Sequence, residues 1–336
     1  MRLLYIAAGS KTLSEVDPNM ISAFQQLQKE RPSFAFKAVS SRREPLQRLQ
    51  ATIDSFRPDV VIAFKGASSP VIVERLKSKG IPVGLFVVDD PHNLKKHKQK
   101  ARSFDFVMTQ EASCVPFYRR HKKPALHLPL AVNPEKYYPR AVAKKYESDI
   151  CFVGSALPVR LALFDKLAPF LQKKKFVIVG RWWEQLKKYA QLQRHIRNET
   201  IPPDEVAKYY NGAKIVLNIH RDNNDAVPKT HRNGNSYNLP TYTPNNRTFD
   251  IAACRAFQLT SARRDIKNFY APNEEIVCFD GIADLKQKIN YYLAHEQERK
   301  RVAALAYERT MREHTYVNRL REFVKQLEVT VVKKRN

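Results

Sequence analysis

Short apolar runs alternate with amphipathic stretches along the first 130 residues or so, and this alternation predicts strands and helices in turn. The run from Arg2 to Gly9 is almost wholly apolar and ends in glycine, which is typical of a buried parallel strand leading into a loop. Further strands are predicted at 34–40, 59–64, 82–92 and 104–110, with an extended run at 125–133. Helices are predicted from Asp17-Pro18 onward, at 45–56 and at 69–80. This pattern predicts a parallel sheet with helices on both faces.

The same alternation starts again at Asp149, after a polar, proline-containing stretch at 137–148 that suits a linker. Strands are predicted at 149–155, 175–180, 214–220 and 275–280. Helices are predicted from near Pro158 to Leu171 and at 202–213, and the end of the chain is almost entirely helical in pattern. The fold class predicted is therefore α/β, with two Rossmann-like, doubly wound parallel-sheet domains facing a cleft, followed by C-terminal helices.

Charge is the most unusual bulk property, because the 336 residues carry a formal net charge of +26. The basic residues form local clusters at 93–102, 119–123, 173–175 and in the tail KKRN, without a continuous stripe. A nucleic-acid-binding face would alternate basic residues with exposed aromatic residues or carry a known nucleic-acid recognition motif. Neither is found, so no nucleic-acid partner is expected. An anionic substrate, an acidic polymer, an anionic lipid surface and a merely basic solvated surface all remain open.

Cysteine spacing and hydropathy bear on the cellular compartment. Four widely scattered cysteines have no paired spacing for zinc or for a redox motif, so reduced structural thiols are expected. No apolar run is long enough for a membrane span, and the N-terminal apolar run is too short for a secretory signal. We therefore expect a cytoplasmic protein without a transmembrane segment.

Candidate chemistry lies where predicted strands end, since ligands of such sheets bind at the carboxyl ends of the strands. Asp89, Asp90 and His92 follow an apolar run, and Asp90 and His92 are candidates for general acid–base catalysis or for holding a hydroxylated substrate. The alternative is a turn in which an aspartate caps the next backbone segment.

A second candidate is the loop after the strand at 149–155. Gly154 and Ser155 precede a helix that carries Arg160, and backbone amides at such a helix start bind phosphate oxygens. Arg160 would add positive charge. A plain tight turn is the alternative interpretation.

A third candidate is the long polar, asparagine-rich loop after the strand at 214–220. A loop of this length in a compact domain is often functional, and its side chains suit sugar hydroxyls and phosphates. His220 and Arg221, at the end of the strand, are the stronger candidates, whereas His231 in mid-loop fits solvated surface as well.

After that loop, Asn245 or Asn246 is predicted to start a helix whose first turns carry Arg247 and Asp250. A carboxylate fixed there can accept hydrogen bonds from both hydroxyls of a ribose. Arg247 can pair with a diphosphate. The alternative is an internal ion pair between Arg247 and Asp250 that involves no ligand.

Several segments carry a resemblance to a known family. RTFDIAACRAFQLTS, NFYAPNEEIVCFDGIADLKQKINYYLAHEQER and REHTYVNRL resemble the C-terminal half of the spore maturation protein CgeB group of glycosyltransferase-like proteins. VVDDPH, FVMTQEASCVPFYRR and LPLAVNPEKYYP resemble the first domain of the same group, so the resemblance covers nearly the whole chain.

The resemblance implies a GT-B fold with an N-terminal acceptor domain at 1–140, a nucleotide-sugar-binding domain at 149–315 and a C-terminal helix at 316–336 that packs back on the first domain. It implies a nucleotide-diphosphate sugar as donor and no cofactor or metal, because basic side chains and helix amides neutralise the leaving group. Asp250 takes the place of the second of two glutamates of retaining relatives and would bind ribose. The first glutamate would fall at Tyr242, and Arg255 stands where the relatives have glycine, so it either reaches the phosphates or obstructs the pocket.

The function expected is that of a nucleotide-sugar-dependent hexosyltransferase acting on a cell-surface or spore-coat acceptor. The acceptor expected is a glycan or a coat protein, and the basic protein would suit an acidic acceptor. The resemblance also implies an association with spores. The alternative is a catalytically silent coat or assembly protein of the same fold that binds an anionic polymer, and Tyr242 and Arg255 are the residues that favour it.

Overall fold

The computed structural model describes residues 1–9, 15–40, 45–223, 225 and 235–332, and side chains up to residue 330. These residues form two compact units. The first holds the described part of Met1–Leu130, residues 235–241 and the chain from Tyr316 onward. The second holds residues 131–223, Asp225 and Tyr242–Thr315. His231 and the basic tail KKRN lie outside the described residues.

The first unit is a parallel α/β sheet. Its strands are β1 (Arg2–Ala7), β2 (Ala35–Ser40), β3 (Val60–Phe64), β4 (Val83–Val87), β5 (Phe106–Thr109) and β6 (Ala125–His127). Its helices before residue 130 are α1 (Val16–Glu30), α2 (Leu46–Phe56), α3 (Pro70–Ser78), α4 (Leu94–Ala101) and α5 (Cys114–Arg120). The strand order is β2-β1-β3-β4-β5-β6. Strands β3, β4 and β5 are buried along their whole length, because their continuous apolar runs are covered by helices.

The second unit repeats this architecture. Its strands are β7 (Ser148–Val153), β8 (Phe176–Val179), β9 (Ile196–Arg197), β10 (Ala213–Asn218), β11 (Gln258–Ser261) and β12 (Val277–Phe279). Its helices are α6 (Pro158–Leu171), α7 (Tyr189–Leu192), α8 (Pro203–Gly212), α9 (Asn246–Ala253), α10 (Gly281–Ala294) and α11 (Glu296–Glu313). All strand pairs are parallel, in the order β12-β11-β10-β7-β8-β9. The order reverses between β7 and β10, which is the topological switch point of a Rossmann sheet.

Aromatic residues fill the core of the second unit beneath the end of β7. Phe152, Phe164 and Trp183 pack edge to face with ring centroids 5.1 to 5.6 Å apart, which is the favoured aromatic geometry. Trp183 has no exposed surface. This tryptophan therefore belongs to the core and is not available to stack on a sugar ring.

The last helix, α12 (Tyr316–Leu327), belongs to the first unit and packs against α1. It buries Leu320, Phe323 and Leu327 along one face, the spacing of an amphipathic helix. An ion pair of 2.7 Å between Arg321 and Glu30 joins the two helices at their surface.

The alternating pattern of the sequence is confirmed by these elements, but the pattern predicts no strand at 258–261. Strand β11 contains Gln258 and Thr260, both fully buried or nearly so. Their polar groups are satisfied by neighbouring elements, since Gln258 donates to the Thr248 carbonyl of α9 and Thr260 to the Asn218 carbonyl of β10. Across the described residues, no helix is both long and apolar enough to cross a membrane.

Candidate functional site

The predicted phosphate loop lies at the switch point of the second unit. Strands β7 and β10 pair in parallel, so their carboxyl ends are neighbours. Gly154 and Ser155 follow β7 and lead into α6, while Ile219 and His220 follow β10. Open α/β sheets bind ligands at this position, in the crevice outside the strand ends.

Two glycines allow the backbone and side chains here to approach closely. A Cβ atom on Gly180, at the end of β8, would lie 2.1 Å from the Gly154 carbonyl oxygen. A Cβ atom on Gly154 would lie 3.0 Å from Nη1 of Arg247 and 3.3 Å from Nη1 of Arg160. Glycine at 154 therefore lets two guanidinium groups lie directly against the loop.

The buried side chain of Arg160 holds this loop in place. It is 3% exposed. Its Nε and Nη2 donate to the Ile219 carbonyl at 3.1 and 2.9 Å, and its Nη1 donates to the Ser155 carbonyl at 2.8 Å. The side chain thus ties the end of β10 to the loop after β7, a structural role that adds to its positive charge.

Arg247, by contrast, has a donor without a partner. Its Nη1 atom is buried and makes no hydrogen bond to the described residues. Both guanidiniums lie over the ring of Phe152, Arg160 at 5.5 Å and Arg247 at 5.9 Å from its centroid. A buried donor left unpaired carries a free-energy cost, and a ligand that accepts from it removes that cost.

Electrostatics make this place strongly attractive to an anion. Burial lowers the pKa of Arg160 well below its ordinary value, and the positive charge of Arg247 lowers it further. Burial also lowers the pKa of Arg247. Since arginine stays protonated in proteins, these shifts indicate two desolvated cations that repel each other. Within the described part of the chain neither forms an ion pair with a carboxylate, although Asp225 acts on Arg160 from a longer distance.

Helix α9 begins as predicted and presents Arg247 and Asp250 together. Asn245 is the N-cap, and its side-chain oxygen accepts a hydrogen bond of 3.1 Å from the Thr248 amide. Asp250 is 4% exposed, and its Oδ2 accepts from Nδ2 of Asn246 at 2.9 Å. Burial raises the pKa of Asp250 well above its ordinary value, while Arg247 and the Asn246 hydrogen bond oppose this shift.

His220 is held as a neutral imidazole. Its Nδ1 lies 3.0 Å from the Ser261 carbonyl oxygen, which can only accept, so Nδ1 carries the proton and Nε2 is an acceptor. Burial lowers the pKa of His220 well below its ordinary value, and the charges of Arg263 and Arg247 lower it further. Its Nε2 is buried and has no partner among the described residues.

A cavity of about 280 Å³ adjoins His220 at the ends of β10 and β11. Its wall includes Ser261 and Arg263, which follow β11, and Lys166 from α6. The wall also includes Asp222, and its remaining residues are apolar. The cavity therefore places hydroxyl, cationic and anionic groups beside the imidazole on a largely apolar wall, a lining that suits a hydroxylated ligand.

In the first unit, Asp90 is the centre of a buried hydrogen-bond network. Its Oδ1 lies 2.6 Å from Nδ1 of His97, and its Oδ2 accepts from the hydroxyls of Thr109 at 2.8 Å and Tyr118 at 3.0 Å. Both oxygens therefore already have partners. His92 is 6% exposed. A catalytic role for Asp90 or His92 stays a prediction.

Arg255 and Tyr242 are the two positions at which the sequence departs from what the resemblance implies. Arg255 follows the C-terminal end of α9, is exposed and has a backbone φ of +53°. This left-handed conformation after a helix is one that glycine adopts without strain. The guanidinium of Arg264 lies 4.5 Å from the ring centroid of Tyr242. Gly154, Arg160, Arg247, Asp250 and His220 are brought together.

Sequence reasoning missed the contribution of Gly180, Phe152 and Ser261. A glycine directly after a predicted strand was a signal for Gly180. Phe152 and Ser261 gave no such signal, because Phe152 reads as an ordinary core residue and Ser261 acts only through His220, which is distant in sequence.

Comparisons with known proteins identify the family and the fold of this chain. Residues 160–325 match a protein-family model described as glycosyl transferase-like. The chain is 32% identical over 270 residues to the spore protein CgeB of Bacillus subtilis (strain 168), an alignment that covers 79% of this chain and 81% of that protein.

Solved structures with the same fold include sucrose-phosphate synthase from Thermosynechococcus elongatus, with a TM-score of 0.64 and 11% identity over 97% of this chain and 98% of that chain. Anabaena HepE in complex with UDP and glucose gives a TM-score of 0.62 and 12% identity over 98% of this chain and 99% of that chain. At such identities the likeness establishes the fold alone. The GT-B fold class predicted from the sequence is confirmed.

Proposed function

Because the chain belongs to the family of the spore protein CgeB, whose members are glycosyltransferase-like, we propose that it transfers a sugar from a nucleotide diphosphate to a cell-surface or spore-coat acceptor. The observation that carries the proposal is Nη1 of Arg247, which has no hydrogen-bond partner among the described residues and is buried against Gly154 beside a second guanidinium. HepE has been solved in complex with UDP and glucose and in complex with UDP-glucose, which supports a nucleotide sugar here.

The diphosphate of the donor would lie at the Gly154–Ser155 loop. A phosphate oxygen there accepts from Arg247, and Arg160 adds charge while it holds the loop in place. As the bond between sugar and diphosphate breaks, negative charge grows on the leaving group. Fixed cations in a desolvated place stabilise that charge more than water does, and they need no reorganisation.

The remaining parts of the donor would lie on either side of the diphosphate. Asp250, on the first turns of α9, would accept hydrogen bonds from the ribose hydroxyls. His220 would accept from a sugar hydroxyl through Nε2, the atom that has no partner among the described residues. The sugar would then occupy the adjoining cavity.

The acceptor would meet the first unit. Asp90 would act there through His97, since the carboxylate holds Nδ1 of that imidazole and leaves Nε2 to receive a proton. His92 is the second candidate. Both oxygens of Asp90 are already hydrogen-bonded, which is why its part in the reaction would run through His97.

Calorimetric titration tests the proposal directly. UDP, GDP and their sugars are titrated into the wild-type protein, into Asp250→Ala and into Glu296→Ala, which removes an exposed carboxylate of the same unit. We expect one of the nucleotides to bind the wild type and the Glu296 variant equally, and Asp250→Ala at least about 10-fold more weakly, the worth of one hydrogen bond to a charged group. Failure of every nucleotide to bind would overturn the proposal.

A second function follows from Tyr242. The resemblance to retaining glycosyltransferases implies a carboxylate at this place, whereas here the side chain is a phenol stacked with Arg264. A catalytically silent protein of the same fold that binds an anionic polymer would carry such a change. Nucleotide binding without sugar transfer or hydrolysis selects this alternative.

A further inference from the structure

The first unit carries a dense set of cations that the proposed donor site does not use. Helices α4 and α5, with the residues that follow them, contain nine lysines and arginines: Lys95, Lys96, Lys98, Lys100, Arg102, Arg119, Arg120, Lys122 and Lys123. We call this set the α4–α5 basic face. Neither helix contains an acidic residue. Within the described residues, none of the nine forms an ion pair with a carboxylate.

The two helices are neighbours, so their charges form one surface. They follow the adjacent strands β4 and β5. The Nζ of Lys98 on α4 lies 5.8 Å from the ring centroid of Phe117 on α5. Lys123, after α5, donates to the Arg102 and Phe104 carbonyls at 3.1 and 2.6 Å.

One end of the face converges on the carboxyl edge of the sheet. Lys100 Nζ donates to the Lys65 carbonyl, directly after β3, at 2.7 Å. Burial lowers the pKa of Lys100, and the charges of Lys65 and Lys96 lower it further. The Lys100 ammonium thus lies at the sheet edge where ligands of this architecture bind, and the charges of Lys65 and Lys96 act on it there. An anion there would relieve the repulsion.

We propose that the α4–α5 basic face, with Lys65, binds an acceptor that is a polyanionic chain bearing repeated phosphate or carboxylate groups. A single small anion needs two or three cations, whereas this face offers many along two helices, together about 20 Å of helix. Binding to the face needs no nucleotide; only its role in holding an acceptor rests on the proposed function.

The surroundings of the face argue against two other anionic partners. Its apolar residues Leu94, Ala101, Val115 and Phe117 are buried, so the helices have no large apolar group to insert into a lipid bilayer. Single-stranded nucleic acid binds best where aromatic rings are free for base stacking. In the described structure the exposed aromatic residue beside this face is Tyr237. The Nζ of Lys98 already lies over its ring, 5.1 Å from the centroid.

The test compares two charge-matched double variants of the full chain. Lys95→Gln/Lys96→Gln removes two exposed charges from the face, and Lys173→Gln/Lys175→Gln removes two exposed charges from the second unit. Binding of fluorescent poly-glutamate and of polyphosphate is followed by anisotropy at low and at physiological salt. We expect micromolar binding that weakens with salt, about 5-fold or more loss in the first variant and little change in the second.

UDP titration of the same variants separates this inference from the proposed function. Polyanion binding that depends on Lys95 and Lys96 in a protein that binds no nucleotide would sustain the inference and overturn the donor proposal. Equal losses in both double variants would overturn the inference, as would the absence of polyanion binding. Tighter binding to phosphatidylglycerol vesicles or to a single-stranded oligonucleotide than to either polymer would also overturn it.

Discussion

Arg247 and Asp250 lie one helical turn apart on α9, both in the described part of the chain, and no ion pair joins them. The Asp250 carboxylate is instead held by Asn246, and the Arg247 guanidinium lies over Phe152 beside Gly154. The opposite charges influence each other's pKa without contact. An internal ion pair, which the sequence left open as the alternative, is therefore not what these residues form.

Replacement of Arg247 by methionine should separate binding from stability. The change removes a desolvated cation whose Nη1 has no partner in the described structure, so we expect the thermal midpoint to stay unchanged or rise. Nucleotide affinity should fall about 10- to 100-fold, the worth of a hydrogen bond to a charged group. Arg301→Met, an exposed change in the same unit, is the matched control for calorimetry and thermal unfolding. A large loss of stability in Arg247→Met would show a structural role.

Arg160→Met should behave in the opposite way. This change leaves the Ser155 and Ile219 carbonyls without the donors they now have. We expect the free energy of unfolding to fall by about 1–3 kcal/mol, the range for buried groups left unsatisfied. Denaturant unfolding of Arg160→Met beside Arg247→Met measures the contrast, and equal stabilities would contradict the assignment.

Gly180→Ala should disrupt the loop after β7, because its methyl group would overlap the Gly154 carbonyl oxygen. We expect a loss of at least about 3 kcal/mol or a failure to fold. Gly281→Ala is the control, since a Cβ there meets nothing within 4 Å and only its φ of +74° is unfavourable; a cost of about 1–2 kcal/mol is expected. Equal costs in denaturant unfolding would show that the close approach at Gly180 is not tight.

Asp250 should make stability fall as pH rises. Burial raises its pKa in the folded state above the ordinary 3.8, so between these two values the folded protein binds a proton that the unfolded chain has lost. Asp250→Asn has no such titration. We therefore expect its advantage in stability over the wild type to be near zero below about pH 4 and to grow above it. Thermal unfolding from pH 4 to 8 measures this, and a constant difference would contradict the assignment.

Nucleotide binding should also be linked to the protonation of Asp250. If ribose hydroxyls require the Asp250 carboxylate, binding releases a proton, and wild-type affinity rises with pH. The Asp250→Asn protein has no carboxyl proton to release, so its nucleotide affinity should not show the rise with pH that Asp250 causes in the wild type. Calorimetry in two phosphate-free buffers with different ionisation enthalpies measures the proton release for both proteins. Equal proton release from the two proteins would exclude Asp250 from the ribose contact.

Much of the fold could be predicted because it follows from local patterns. Continuous apolar runs identify β3, β4 and β5, and the asparagine before a helical stretch identifies the start of α9. Strand β11 could not be predicted from its sequence, since Gln258 and Thr260 are polar and find partners on β10 and α9, which are distant in sequence.

The site was predictable in part for the same reason. The spacing of Arg247 and Asp250 after a helix start is local, and so is a glycine after a strand. Arg247 Nη1 has no partner among the described residues because the side chain is buried against Phe152 and Gly154. These two residues precede Arg247 by about 90 positions in the sequence. Asp90 likewise looked free in its own segment, but its partners His97, Thr109 and Tyr118 come from α4, β5 and α5.

The central claim is that Arg247 and Arg160 are kept for a diphosphate. A crystal structure with a bound nucleoside diphosphate tests it most directly. We predict a phosphate oxygen within hydrogen-bonding distance of Arg247 Nη1, at the Gly154–Ser155 loop, with the ribose at Asp250. A nucleotide bound elsewhere, with the Arg247 donor still unpaired, would contradict it.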